Sequence, residues 1–363
     1  MKKKFILPVF LLVQIVVLQI LKFFPETVER FYSNGLYVWI SKSLRVLFGW
    51  IPFSVGDVLY FVLGFCILRW FFKVRKTWTR GKAELSEAKS NWKDNILKVL
   101  SFLSVIYFAF HLLWATNYYR VRLYKKMHIE KEYSVADLSA FTKKLIVKVN
   151  QIQLEITKND TAKVVFPYSH QQVYAMNLNG YKNLAAVYPY FTYTHPSVKN
   201  SIISLPLTYM GFAGYLNPFT GEAQVNDRIP MYNFPVTVTH EMAHQMGYAS
   251  ESEANFIGFL ACTKNDDLYF RYAAYSFALK YCLNTLERIE ECKSDEFIPL
   301  INKGILKNYQ ESQQFWESHA TFIEDGFKVF YDNFLKANQQ KDGMESYSKF
   351  VDLMVNYYKV EKL

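Results

Sequence analysis

Three residues within a stretch of five carry the clearest chemistry in this chain: His240, Glu241 and His244, in VTVTHEMAHQMG over 236–247. Residues four apart on a helix lie about one turn apart on the same face, so the two imidazoles project side by side as tetrahedral zinc requires. Glu241, beside the first of them, is placed to take a proton from an attacking water as general base. A chain with this few histidines acquires HExxH by chance roughly one time in a hundred. The spacing therefore predicts one zinc ion per chain, held by His240, His244 and a third protein ligand, with a fourth position left for water.

Such a pair has to sit on a helix, and the flanking residues supply one. Pro235 suits a first helical turn and Gly247 a helix C-terminus. Beyond it, YASESEANFIGFLAC over 248–262 reads as a second helix, with Ser250 as its cap and Glu253 at capping-box spacing. Position 250, where a metzincin-like third histidine would stand, is serine.

Glu251 with Ala254 and Asn255 resembles the ExxA(D/N) element that supplies the third ligand in gluzincin-type metallopeptidases. That resemblance implies Glu251 as the ligand and Asn255, one turn on, as the partner that orients a ligating histidine. Glu253 remains the alternative ligand. Over most of the chain, HEMAHQMGYASESEANF, the preceding GFAGYLNPFTGEAQVN, the hydrophobic N-terminus and the late GMESYSKFVDLMVNYY are similar to an uncharacterised family of bacterial inner-membrane proteins classed as zinc metallopeptidases. The resemblance implies a zincin-like domain, a zinc cofactor, a peptide or protein substrate and a multi-pass place in the bacterial inner membrane. In gluzincin-like sites a later helix supplies the oxyanion stabiliser, which makes Arg271 and Tyr272, with Tyr275, candidates in YFRYAAYSF. GYLNPFTGEAQVN over 214–226 is placed to serve as an edge strand for substrate backbone, or as an ordinary hairpin.

The elements that carry this site divide by charge. Residues 1–118 hold 16 Lys/Arg against 6 Asp/Glu, while 119–363 hold 26 of each. The basic excess thus belongs to the N-terminal third alone, and no nucleic-acid partner is expected. That third contains three long apolar stretches, at about 5–21, 51–72 and 99–119, each near the length that crosses a bilayer core. Residues 1–118 accordingly read as a membrane region in contact with the lipid bilayer. The segment between the first two, RFYSNGLYVWISKSLRVLFGW, reads equally as a helix lying on the membrane or one packed on protein. With three spans, 12 Lys/Arg flank one side and 8 the other, which puts the N-terminus in the cytoplasm and the C-terminal part on the extracytoplasmic, periplasmic side.

Residues 119–363 read as an α+β, mostly helical domain. Ser134 and Asp137 have capping-box spacing ahead of a helix. KVVFPY and SIISLPLTY read as short strands, and the chain reads as helical from Phe234 onward with breaks near Gly247, Lys264, Ser294 and Gly343. Four cysteines, Cys66, Cys262, Cys282 and Cys292, show no ligand-like spacing, which excludes a zinc finger or a disulfide scaffold and leaves buried free thiols. Two functions then suit the site: a membrane-anchored zinc metallopeptidase, or a catalytically inactive membrane scaffold or receptor with structural zinc. Glu241 favours the enzyme, because a structural site needs no base and closes its fourth position with protein.

Overall fold

The computed structural model describes residues 2–80, 85–289, 294–340 and 349–363. Cys292 and the break expected near Gly343 lie outside the described residues. The chain is mostly helical with one small sheet. Its first part comprises α1 (Ile6–Leu21), the single turn α2 (Pro25–Thr27), a π-helical stretch (Val28–Leu36) running into α3 (Tyr37–Gly49), α4 (Val55–Arg80) and α5 (Leu85–Leu113). A short α6 (Leu123–Lys126) leads to α7 (Val135–Thr157) and α8 (His170–Val187), then β1 (Val198–Asn200), α9 (Ser204–Tyr209), β2 (Gly214–Leu216) and β3 (Ala223–Val225). The remainder is α10 (Phe234–Gln245), α11 (Glu251–Thr263), α12 (Leu268–Glu287), α13 (Lys303–Glu317), α14 (Phe322–Ala337) and α15 (Lys349–Val360).

Among the described residues, three segments are long and apolar enough to cross a membrane: Lys3–Leu21, Val55–Arg75 and Trp92–Leu113. Most of their apolar side chains, among them Leu12, Phe61 and Val105, face outward rather than into a protein core. The third differs from the expected 99–119. It begins earlier, and the chain breaks at Trp114 into a 3-10 turn over Ala115–Tyr119 in which Ala115, Asn117, Tyr118 and Tyr119 are buried. Trp114, Tyr118 and Tyr119 are thus protein core. α1 and α5 run parallel, because Lys4 pairs with Asp94 and Gln14 with Ser104 at the same offset of 90 residues.

α3 packs on protein. Tyr37 and Ser41 reach the end of α10, and the Arg45 guanidinium donates to the Thr194 carbonyl and lies over Tyr193. Its other face leaves Val38, Trp39, Val46 and Leu47 exposed, so the helix keeps an apolar side turned away from the domain. These contacts cross the 118/119 division drawn from charge.

The domain core gathers α7, α8, α10, α11, α12 and α15 around side chains such as Leu145, Tyr181, Phe256, Phe259, Leu279 and Phe350, all essentially inaccessible. α7 begins at Ser134 with the expected capping box. The two expected strands do not form. In SIISLPLTY, Pro206 falls in the first turn of α9, where a missing N–H breaks no helical bond, so the segment turns helical. KVVFPY stays irregular because the Asn308 side chain takes the place of a ladder partner, accepting from Val164 N and donating to Val164 O. GYLNPFTGEAQVN does form two extended arms, β2 and β3, antiparallel, with β1 parallel on the far side of β3, in the order β1-β3-β2. β2 is therefore an edge. Among the described residues Cys66, Cys262 and Cys282 are free thiols, the last two buried and Cys66 exposed.

Candidate metal centre

α10 carries Pro235 in its first turn and ends in a Schellman turn. Gly247 adopts a φ of +85°, its N–H bonds to His244 O at 2.9 Å, and Tyr248 N–H reaches back to Ala243 O at 3.2 Å. This turn does more than stop the helix. It brings the Tyr248 carbonyl back over the last turn, where it accepts from His244 Nδ1 at 2.7 Å. One turn earlier, His240 Nδ1 meets Asn255 Oδ1 of α11 at 2.7 Å. The close approach of the two helices depends on Gly258, where an added Cβ would lie 2.9 Å from His240 N.

With both Nδ1 atoms donating to oxygens, both Nε2 atoms present lone pairs. They lie 3.0 Å apart, with Glu251 Oε2 at 3.3 Å from His240 Nε2 and Glu251 Oε1 at 3.7 Å from His244 Nε2. Donors bound tetrahedrally at zinc distances are separated by about 3.3 Å, a value these separations bracket. His240, His244 and Glu251 thus form a cluster that could hold a metal ion. Electrostatics point the same way, since two lone pairs and a carboxylate repel unless a cation lies among them. A proton does this when no metal is present: burial opposes the charged imidazole, but the Glu251 carboxylate overrides it and pushes His244 up to about 9. Burial likewise opposes the ionised Glu251, and the two histidines nevertheless hold it well below the usual carboxylate range.

Glu241 stands beside the cluster without joining it. Its Oε2 is buried with no hydrogen-bond partner, and burial pushes the carboxyl up to about 6. β2 lies directly against it: a Cβ added at Gly214 would sit 2.8 Å from Glu241 Oε1.

Glu253, the alternative ligand, points elsewhere. Its carboxylate accepts from Leu123 N at 2.8 Å near Arg120 and Arg122, and Ser250 faces Ser252, so the expected capping box at the start of α11 is absent. Arg271 and Tyr272 do not reach the site. The Tyr272 hydroxyl is fully buried and donates to Asn308, Arg271 bonds the Asp266 carbonyl, and Tyr275 packs against Phe259. Tyr331 on α14 stands beside the cluster and donates to Glu251 Oε1 at 2.7 Å. Among 27 tyrosines, nothing in its local sequence marks it.

The C-terminal carbonyls of α10 find donors far away in sequence. Trp114 Nε1 bonds His244 O at 3.0 Å, Tyr37 and Ser41 hydroxyls bond Gln245 O at 3.0 and 2.7 Å, and Arg120 Nη1 bonds Gly247 O at 2.9 Å. Arg120 is in turn held by Glu29 through two bonds of 2.8 Å. Groups a helix end would otherwise leave to water are satisfied by the segments that follow the first and third apolar helices.

The chain belongs to the family described as Protein of unknown function (DUF3810), which matches residues 32–355. No curated protein and no solved structure matches it.

Proposed function

We propose that the protein is a membrane-anchored zinc metallopeptidase with a gluzincin-like site: His240, His244 and Glu251 hold one zinc ion, Glu241 is the general base, and the substrate is a peptide or protein. The single observation that supports this reading best is the convergence of both Nε2 atoms and Glu251 beside a buried Glu241 carboxylate with an unpartnered oxygen. Zinc held there would supply Lewis-acid polarisation of a peptide carbonyl and lower the pKa of water.

The chain's own residues divide the rest of the work. Asn255 and Tyr248 O fix the tautomer and ring orientation of the two imidazoles. Tyr331 holds the Glu251 carboxylate in place. Glu241 accepts the water proton and returns it to the leaving amine, a task suited to a carboxyl whose pKa burial has moved towards neutrality. β2 offers a substrate its free edge: the Asn217–Glu222 and Asn226–Ala213 bonds fix the paired positions of the ladder, so Gly214 and Leu216 turn their backbone groups away from β3.

The membrane reading follows the three apolar helices, with the C-terminal domain on the extracytoplasmic side of a bacterial inner membrane, as the 12-to-8 distribution of Lys/Arg favours. The deciding experiment is zinc content and peptide cleavage by the purified full chain, compared with Glu241→Gln and His244→Ala. Cleavage lost in both, with zinc lost only in His244→Ala, supports the peptidase. A full chain that retains zinc and cleaves nothing supports the scaffold.

A further inference from the structure

One cavity of about 950 Å³ contains His240, Glu241, His244 and Glu251 in its wall. The same cavity is lined by Leu11 of α1, Tyr60 of α4, and Leu103 and Ile106 of α5. Leu11 and Leu103 each lie ten residues before the end of their apolar helix, at Leu21 and Leu113. At 1.5 Å per residue that is about 15 Å below the helix end, half the depth of a bilayer core of about 30 Å. The cavity therefore has a polar end at the metal cluster and an apolar end at mid-membrane depth.

It also has a side. α1 packs along α5, whereas α4 makes no comparable contact with either among the described residues. α4 is instead fastened at its start to the sheet: Glu222 accepts from Val55 N and Gly56 N, and Asp57 accepts from Ser201 Oγ, Ile202 N and the Tyr215 hydroxyl. Below this clamp, Tyr60 stacks on Tyr215 of β2, and the helix then stands off from the α1–α5 pair. Leu103 lines the cavity and is 46% exposed, and the space between α4 and the α1–α5 pair leaves the cavity open on that side.

We propose that this gap admits an apolar polypeptide segment from within the bilayer and that the chain just outside the membrane pairs with β2, so that the substrate is a membrane-embedded protein cut next to its apolar segment. The proposal rests on the peptidase reading for the cut and on the cavity for the segment. A polypeptide is favoured over a lipid because the polar end presents a free strand edge, whose outward N–H and C=O groups at Gly214 and Leu216 match a peptide backbone. A water-soluble peptide would leave the apolar half of the cavity unfilled.

The test separates binding from cutting. Full-length Glu241→Gln protein in phosphatidylcholine nanodiscs carries a photo-crosslinking p-benzoylphenylalanine in place of Leu103, or of the lipid-facing Val16 as control. Three biotinylated probes are offered: pooled randomised octapeptides, the same pool joined to an 18-residue Leu/Ala segment, and the same pool joined to a palmitoyl chain. The expected result is at least tenfold more labelling by the Leu/Ala-joined pool than by the free pool from position 103, no such excess from position 16, and a smaller excess when Ile106→Trp narrows the gap. Equal labelling by the free and Leu/Ala-joined pools, or an equal or greater excess for the palmitoylated pool, overturns the proposal. Cleavage of the same pools by the wild-type chain is scored separately. Selective labelling without cleavage sinks the peptidase and leaves the lateral cavity standing; cleavage without selective labelling does the reverse.

Discussion

The indole N–H of Trp114 donates to the carbonyl oxygen of His244 at 3.0 Å, joining the residue after the third apolar helix to the second histidine of the candidate metal centre. Tyr37 and Ser41 on the neighbouring Gln245 carbonyl also belong to residues 1–118, and Arg120, just past that boundary, takes the Gly247 carbonyl. Hydrogen bonds thus tie the site to the segments that follow the first and third apolar helices.

The purified full chain should carry about one zinc ion, since two imidazoles and one carboxylate complete a three-ligand set. Elemental analysis should show His240→Ala and His244→Ala losing it. Glu251→Gln, which keeps both imidazoles, should bind zinc more weakly without abolishing it. A wild-type chain purified without chelator and free of zinc would contradict the metal assignment.

Glu241→Gln should keep zinc and fold but lower peptide cleavage by about a hundredfold or more, because the amide cannot accept the water proton. Steady-state cleavage beside zinc content reads this directly. Unchanged cleavage would remove Glu241 from the mechanism.

Gly247→Ala should destabilise the protein by at least about 1–2 kcal/mol, the cost of a left-handed backbone for a residue with a Cβ. The new methyl would also meet the Tyr37 ring and the Asn117 side-chain Oδ1 at 2.8 and 2.9 Å. Because the turn it distorts holds Tyr248 O against His244, zinc affinity should fall as well. Thermal unfolding in detergent with and without added zinc measures both effects, and a variant as stable and as zinc-loaded as wild type would contradict the role given to the turn.

Glu29 sets an acid limit. Burial alone would raise its carboxyl, but its bonds to Arg120 and its pairing with Lys126 hold it down at about 2. A carboxylate whose folded value is depressed stabilises the fold above its unfolded value, near 4.5, and this contribution is lost as pH falls through about 2. Unfolding followed from pH 5 to 2 should fall less steeply for Glu29→Gln than for wild type. Parallel curves would contradict the link.

Topology is checked with reporters at the N-terminus and after Leu363. They should report opposite sides of the membrane, Leu363 outside, because three apolar helices separate them. Same-side reporters would mean that one of the three does not span.

Much of this was legible in the sequence because it is local. The HExxH spacing, Pro235 and Gly247 specify α10 with no help from the rest of the chain, and the apolar runs mark the three long helices by composition. What was not legible depends on partners distant in sequence. Glu251 and Glu253 look alike in ESEAN; only the crossing of α11 over α10 at Gly258 turns one to the histidines and the other to Leu123. Tyr331 reaches Glu251 from 80 residues away, and Asn308 replaces a strand for Val164 from 144 residues away. Arg271 and Tyr272 rest on residue type and on the gluzincin resemblance, neither of which fixes the direction of a side chain on α12.

The parallel pairing of α1 with α5 also has a consequence for biosynthesis. Gln14 is the polar side chain in the middle of α1, and its amide bonds Ser104, 90 residues later. At about 5–20 residues per second, α1 waits on the order of ten seconds in the nascent chain before this partner exists. During that interval an amide faces hydrocarbon with no bond from its own protein, a costly state that a chaperone or the insertion machinery can shield. The order in which the helices leave the ribosome therefore makes α1 a dependent segment, whose settled place in the membrane waits for α5 to arrive.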